Sequence, residues 1–244
     1  MSYLVFHLVL IVPPILFMAA TLPSSLDELG GWRARIALPL IALIALTYTT
    51  AWDNYLVARD VWWYGTGRVL ATIGFVPVEE YLFFVLQPIL TGLFLFQYLA
   101  RWEGPLAGSS PGSAWAGFLT FAALAGGGVL LLGGPPRGLY LGLVLTWASP
   151  LLAGMWLYDG ETLWAHRRTL LVAVGVPTVY LWAADALAIA SGIWTISSTY
   201  TLGVAVGSLP LEEATFFLMT NLLVVKGILL LLYGSHDALD PSLG

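Results

Sequence analysis

Pro77-Val78-Glu79-Glu80-Tyr81-Leu82-Phe83-Phe84 and Pro210-Leu211-Glu212-Glu213-Ala214-Thr215-Phe216-Phe217 share the pattern Pro-x-Glu-Glu-x-x-Phe-Phe. Each stretch opens a long apolar run, near 78–100 and 211–233. Proline suits the first turn of a helix, where its missing N–H costs nothing. The glutamates then fall near the positive end of the helix dipole. Phe83 and Phe84 lie one turn above Glu79 and Glu80, as Phe216 and Phe217 do above Glu212 and Glu213. Adjacent residues of a helix point about 100° apart, so at most one glutamate of each pair is expected to face a given cavity directly.

The match extends outward from the two motifs. Asp53 pairs with Asp185, and each has a Trp nine residues later, Trp62 and Trp194. Trp32 with Arg35 resembles Trp164 with Arg167, and Leu8-Val9-Leu10 before Pro14 resembles Leu143-Val144-Leu145 before Pro150. Self-similarity on this scale marks a duplicated structural unit.

The medium around that unit follows from composition. Of 244 residues, 59% are hydrophobic and 9% charged, with a mean hydropathy of +0.87. A soluble domain averages about 25% charged residues, so the bilayer is the expected solvent. A spanning helix needs about 20 mostly apolar residues. Seven runs qualify, near 3–22, 34–52, 78–100, 114–133, 138–158, 169–190 and 211–233, the fourth interrupted by Gly126, Gly127 and Gly128. Backbone groups find no water in hydrocarbon. The expected fold is therefore an all-α membrane protein with seven transmembrane helices. Helices one to three correspond to five to seven, and the fourth restores the second copy to the orientation of the first. That describes two parallel three-helix repeats joined by a linker helix, related by an axis along the membrane normal. The division is 1–103 for the first repeat, 104–136 for the linker, 137–234 for the second repeat and 235–244 for a polar tail. Both acidic motifs then share one face, with Asp53, Glu79, Glu80, Asp185, Glu212 and Glu213 in one layer around one cavity.

Arg33, Arg35, Arg101, Arg167 and Arg168 fall on one face, and Arg59, Arg68 and Arg137 on the other. The basic bias predicts a multi-pass protein of the cell membrane with its N-terminus outside and its C-terminus cytoplasmic. Met1 to Phe6 has no basic n-region, so the first run reads as a retained helix. With no cysteine, disulfides, thiolate metal sites and cysteine nucleophiles are excluded. No basic block marks a nucleic-acid face. His7, His166 and His236 have no metal-like spacing, and Gly126 and Gly128 do not complete a dinucleotide fingerprint. Lys226, in the seventh helix, reads as a lysine snorkelling toward a helix end; the alternative is a retinal Schiff base.

Ionisable groups inside a membrane are expensive and usually functional. One carboxyl group can act as general acid and its neighbour as base, and Phe and Trp faces can stabilise a cation between them. The alternative is a set of interfacial helix-start glutamates. The aromatic segments after Asp53 and Asp185, through Trp62-Trp63-Tyr64 and Trp194, read as an interfacial belt or as partly re-entrant segments roofing the cavity.

The paired Pro-x-Glu-Glu-x-x-Phe-Phe motifs, with Trp52-Asp53-Asn54, Val61-Trp62-Trp63-Tyr64 and Thr220-Asn221, resemble the integral-membrane lycopene cyclases, in the fused two-repeat form, over nearly the whole chain. The second copy departs from the first, with Ala183-Ala184-Asp185 and without the second Trp and the Tyr. The resemblance implies redox-neutral cyclisation of the linear ends of lycopene to β-ionone rings, an isomerase reaction of carotenoid biosynthesis with no cofactor and no metal. An acid protonates C2 of the end group, the C5=C6 double bond attacks the cation at C1, and C6 loses a proton. Glu79, Glu80, Glu212 and Glu213 contain the acid and base on this reading. Asp53 and Asp185 tune or relay the proton, and Phe83, Phe84, Phe216, Phe217, Trp62, Trp194 and Asn221 bind substrate. The alternatives are a cyclase making ε- or γ-ends or acting on C50 carotenoids, a retinal-binding seven-helix protein, and a transporter.

Overall fold

A computed structural model describes residues 1–23, 26–102, 108, 110 and 112–234; the tail 235–244, with His236, lies outside the described residues. Seven helices among them are long and apolar enough to cross a bilayer. They are α1 (Tyr3–Ala20), α2 (Leu26–Ala58), α3 (Val78–Arg101), α4 (Ser113–Leu132), α5 (Leu139–Ala165), α6 (Arg167–Ala190) and α7 (Leu211–Tyr233).

Proline shapes the first helix. Pro13 and Pro14 have no N–H to return to the carbonyls of Val9 and Leu10. The chain widens there into a π-helical turn, His7–Ile11, and the Tyr180 hydroxyl of α6 donates to the freed Leu10 carbonyl. Two helices outrun their expected spans. Helix α2 kinks at Gly30 and Gly31, the latter at φ 60°, and runs on to Ala58, so Asp53 lies inside a helix rather than at its end. Helix α5 is broken at Asp159, whose carboxyl accepts the Thr162 amide at 2.9 Å and its hydroxyl at 2.8 Å. That cap restarts the helix and carries it to Ala165.

The glycine run does not break α4. Gly126 faces open space, whereas a methyl group at Gly128 would stand 2.9 Å from Leu145 Cβ of α5. Close approach through small residues is the usual device for packing helices where lipid offers no hydrophobic drive, and Gly160 of α5 meets the Ala114 backbone in the same way.

Lys226 corrects one expectation. It does not snorkel but is buried, with its ammonium 4.1 Å from the centre of the Phe121 ring and 5.1 Å from that of Trp156. Seven residues separate it from the end of α7, about 10 Å of helix, which is beyond the reach of its stem. Aromatic faces of α4 and α5 take the place of water.

The chain is also not purely helical. β1 (Trp62–Tyr64) pairs antiparallel with β4 (Trp194–Ile196), Trp63 opposite Thr195. Two hairpins with matching registers follow, β2 (Thr72–Ile73) with β3 (Val76–Pro77) and β5 (Ala205–Val206) with β6 (Leu209–Pro210). Each hairpin turns on a positive-φ glycine, Gly74 at 65° and Gly207 at 63°, which a two-residue turn demands. The Asn54 side chain ties the first turn to α2 by accepting the Phe75 amide at 3.0 Å.

Replacing Gly128 or Gly160 by Leu is expected to cost about 1–3 kcal/mol through overpacking of α4 on α5. Gly126→Ala should be neutral or slightly stabilising, since helix propensity improves. Thermal unfolding in detergent micelles reads the difference; equal midpoints for Gly128→Leu and the native chain would contradict the close approach.

Candidate active site

Each hairpin delivers a proline to a helix cap. Pro77 and Pro210 are the N-cap residues of α3 and α7, in extended conformation, one position earlier than the first turn expected from sequence. The glutamate pairs follow at the second and third helical positions, and their members separate. Glu79 turns back to the preceding loop, where its Oε1 accepts the Leu70 amide at 2.9 Å. Glu212 does the same for the Leu202 amide at 2.7 Å. Glu80 and Glu213 turn inward.

Glu80 Oε2 accepts from Tyr3 Oη at 2.8 Å and Tyr64 Oη at 2.9 Å, and Trp62 Nε1 donates to Tyr64 Oη at 3.1 Å. Burial and the neighbouring Glu80 push the Tyr64 hydroxyl well above its usual pKa, so it remains a donor. Glu213 Oε1 accepts from Tyr140 Oη at 2.8 Å. Asp185 Oδ1 accepts from Trp194 Nε1 at 3.0 Å. Asp53 is buried, and its Oδ2, like that of Asp185, has no hydrogen-bond partner among the described residues.

These four inward carboxyl groups, Asp53, Glu80, Asp185 and Glu213, line one cavity of about 520 Å³. The rest of its wall is aromatic or aliphatic, including Trp52, Trp62, Trp194, Phe83, Phe216 and Phe217. Among the described residues, no Lys, Arg or His side chain lines it. His7 stands just outside, with its Nε2 2.9 Å from the Glu79 carbonyl; a carbonyl only accepts, so Nε2 carries the proton. The arrangement can give a proton to an apolar guest, take one back and face a cation with ring faces in between. Among the described residues it offers no amine, thiol or imidazole to trap that cation.

A second cavity of about 740 Å³ adjoins the first, sharing Phe83 and Phe216 as lining residues. Phe84 lines this second cavity only. Glu79 and Glu212 line neither, and Lys226 lines neither. Asn221 is also absent from both walls. Its Oδ1 accepts from Gln87 and Thr91 at 2.6 Å each, and its Nδ2 donates to Thr178 at 2.8 Å. That buried knot pins α3, α6 and α7 together and leaves the Asn221 amide occupied by the protein itself.

Sequence reasoning missed Tyr3 and Tyr140, the phenols that hold the two inward glutamates. Tyr3 lies five residues ahead of Leu8, but Tyr140 only three ahead of Leu143, so a fixed repeat offset hides the pair. Trp52 precedes Asp53 in the sequence, and its stacking on Phe216, 5.7 Å between ring centres, has no local signature.

The model of the lycopene cyclase family matches residues 1–99 and 138–231. The chain belongs to the lycopene cyclase family. Within this family it is 42% identical over 232 residues to a lycopene beta-cyclase of Halobacterium salinarum, covering 94% of this chain and 95% of that one. It is 31% identical over 234 residues to a bifunctional lycopene cyclase/phytoene synthase of Blakeslea trispora, covering 92% of this chain and 38% of that one. No solved structure matches the chain. A lycopene cyclase family protein is an enzyme, and the seven apolar helices make this one a membrane protein.

The outward glutamates carry a prediction of their own. Glu79→Ala should speed hydrogen exchange at the Leu70 amide about tenfold, and Glu212→Ala at the Leu202 amide, as each loses its acceptor. Glu→Gln at either position keeps a carbonyl acceptor and should retain most of the protection. Exchange read by mass spectrometry over peptides covering these loops checks this, and unchanged exchange in both alanine variants would contradict it.

Proposed function

We propose that the protein closes β-ionone rings on the linear ends of lycopene. On this reading it is an isomerase, an intramolecular lyase of carotenoid biosynthesis that needs no redox partner. One observation carries the proposal: Glu80 and Glu213 enter one aromatic cavity from two different helices, with no basic side chain between them among the described residues. A carboxyl group there protonates C2 of the end group. The tertiary cation at C1 is attacked by the C5=C6 double bond, which forms the C1–C6 bond and moves the cation to C5. A carboxylate on the cavity wall takes the C6 proton, and the C5=C6 double bond returns within the ring. The proton gained at C2 balances the one lost from C6, so no electron acceptor is consumed. Trp and Phe faces around the guest lower the energy of the cation, and exclusion of water keeps it from being captured.

Within this proposal Glu80 and Glu213 are the acid–base pair, while Asp53 and Asp185 adjust or relay the proton. Glu79 and Glu212 serve the site through the loops they hold. Phe83, Phe216, Phe217, Trp62 and Trp194 face the reacting end. The relatives named as lycopene cyclases support the choice of substrate.

We also read the chain as two repeats, 1–103 and 137–234, with 104–136 as linker and 235–244 as tail. Support comes from the matched hairpins, from the pairing of β1 with its counterpart β4, and from a family match in two segments that leaves out 100–137. Parallel repeats related by an axis along the membrane normal place the cavity toward the face where α1 begins. With the basic bias of the loops, that is the outer face of the cell membrane.

In a lycopene-accumulating host, Glu80→Gln and Glu213→Gln should each lower ring formation about a hundredfold or more, the scale of a lost acid or base. Glu79→Gln and Glu212→Gln should stay within about tenfold of the native chain. Pigment chromatography reads products and residual lycopene. Native-level β-ring formation in both inward variants would remove the acid–base assignment.

A further inference from the structure

The second cavity has its own chemistry. It lies among α2, α3, α5 and α7 and is lined almost wholly by aliphatic and aromatic groups. Three of its polar side chains are engaged with the protein. Tyr48 donates to the Trp147 carbonyl at 2.8 Å, Gln87 to Thr91 and Asn221, and Thr220 to the Phe216 carbonyl at 3.0 Å. The buried Trp147 indole N–H has no hydrogen-bond partner among the described residues, but a wall this apolar offers a guest chiefly contact area, which suits a hydrocarbon.

Its position completes the argument. At one end Phe83 and Phe216 belong to both cavities. On its flank Ile44 of α2 and Leu151 of α5 line the cavity while remaining 48% and 42% exposed. In a membrane helix that exposure faces lipid. Between the carboxyl groups and that flank stands a run of stacked rings. Tyr48 lies on Trp147 at 5.2 Å, Trp147 on Trp52 at 5.1 Å and Trp52 on Phe216 at 5.7 Å.

We propose that the gap between α2 and α5 is a lateral channel for the conjugated chain of the carotenoid. It opens to the bilayer beside Ile44 and Leu151 and leads one chain end past Phe83 and Phe216 to the carboxyl groups. This rests on the ring-closure reading above and adds where the rest of the substrate lies. From Phe216 to Val224 the groove follows eight residues of α7, about 12 Å of helix. A forty-carbon polyene is much longer, so its far half stays in the bilayer, outside any contact with the protein. The protein then reads one end per visit and accepts a chain whose far end is open or already ringed.

The chain has no cysteine, so single cysteines can be labelled after folding. Leu151→Cys and Ile44→Cys, purified and reconstituted in liposomes with lycopene, are compared before and after reaction with a bulky maleimide. Leu130→Cys, on the lipid face of α4 and 79% exposed, is the control. Labelling either channel cysteine should lower the rate of ring formation at least tenfold relative to the same unlabelled variant, and labelling Leu130→Cys should not. Lycopene in the liposomes should also slow labelling at 151 and 44 at least threefold, and leave labelling at 130 unchanged. Fully labelled channel variants that cyclise at their unlabelled rates, or labelling rates indifferent to lycopene, would overturn the channel. Protection by lycopene with no ring product from the unmodified chain would uphold the channel and sink the ring-closure reading instead.

Discussion

The pairing of Trp62–Tyr64 with Trp194–Ile196 settles a problem that the bilayer imposes. Two stretches of chain, between Ala58 and Val78 and between Ala190 and Leu211, leave the helical state beside apolar helices. Non-helical backbone at such a place survives only if protein supplies its hydrogen bonds. Each stretch spends some of its donors and acceptors on the other. The product is a small lid, with Trp62, Tyr64 and Trp194 pointing into the space beneath it. Carboxyl groups from four helices, α2, α3, α6 and α7, meet under that lid.

The glutamate pairs divide their work by helical geometry. Neighbouring residues diverge by about 100°, so a pair at a helix start serves two directions at once. The first member holds the loop that precedes the helix, through the Leu70 and Leu202 amides. The second faces the cavity and is held by phenols. Removing either glutamate of a pair would harm the site, but by different routes. Hairpins turning on Gly74 and Gly207 set both directions, because they fix where the capping prolines stand.

Seven apolar helices were legible in the sequence because they depend on periodic, local patterns, whereas of the six carboxyl groups expected around one cavity four line it. Pro77 and Pro210 announce helix starts, and the apolar runs announce their lengths. What escaped depends on partners distant in sequence. Tyr3 reaches Glu80 across 77 residues and Tyr140 reaches Glu213 across 73. Neither contact leaves a mark in the neighbourhood of either residue. β1 and β4 are too short to show alternation, so from sequence they read equally as an interfacial belt or as re-entrant segments roofing the cavity, and their pairing with each other has no signature. Asn221 was misplaced for a similar reason: a polar residue on a membrane helix invites a ligand, but Gln87, Thr91 and Thr178 already satisfy it. Lys226 resembles a helix-end lysine until Phe121 and Trp156, from other helices, close over it.

Two adjoining cavities of opposite character fit a substrate that has only one kind of surface. A hydrocarbon offers no polar handle, so it cannot be oriented by hydrogen bonds, and an apolar groove alone would bind it in many positions. On the ring-closure proposal, placing the four carboxyl groups under the lid turns position into chemistry. On that reading only the end group reaches a proton donor, whatever length of chain lies in the groove. The ring stack from Tyr48 to Phe216 keeps that donor from the lipid side. Selectivity for a chain end then needs no recognition of the chain as a whole, only a wall that stops it where the carboxyl groups are.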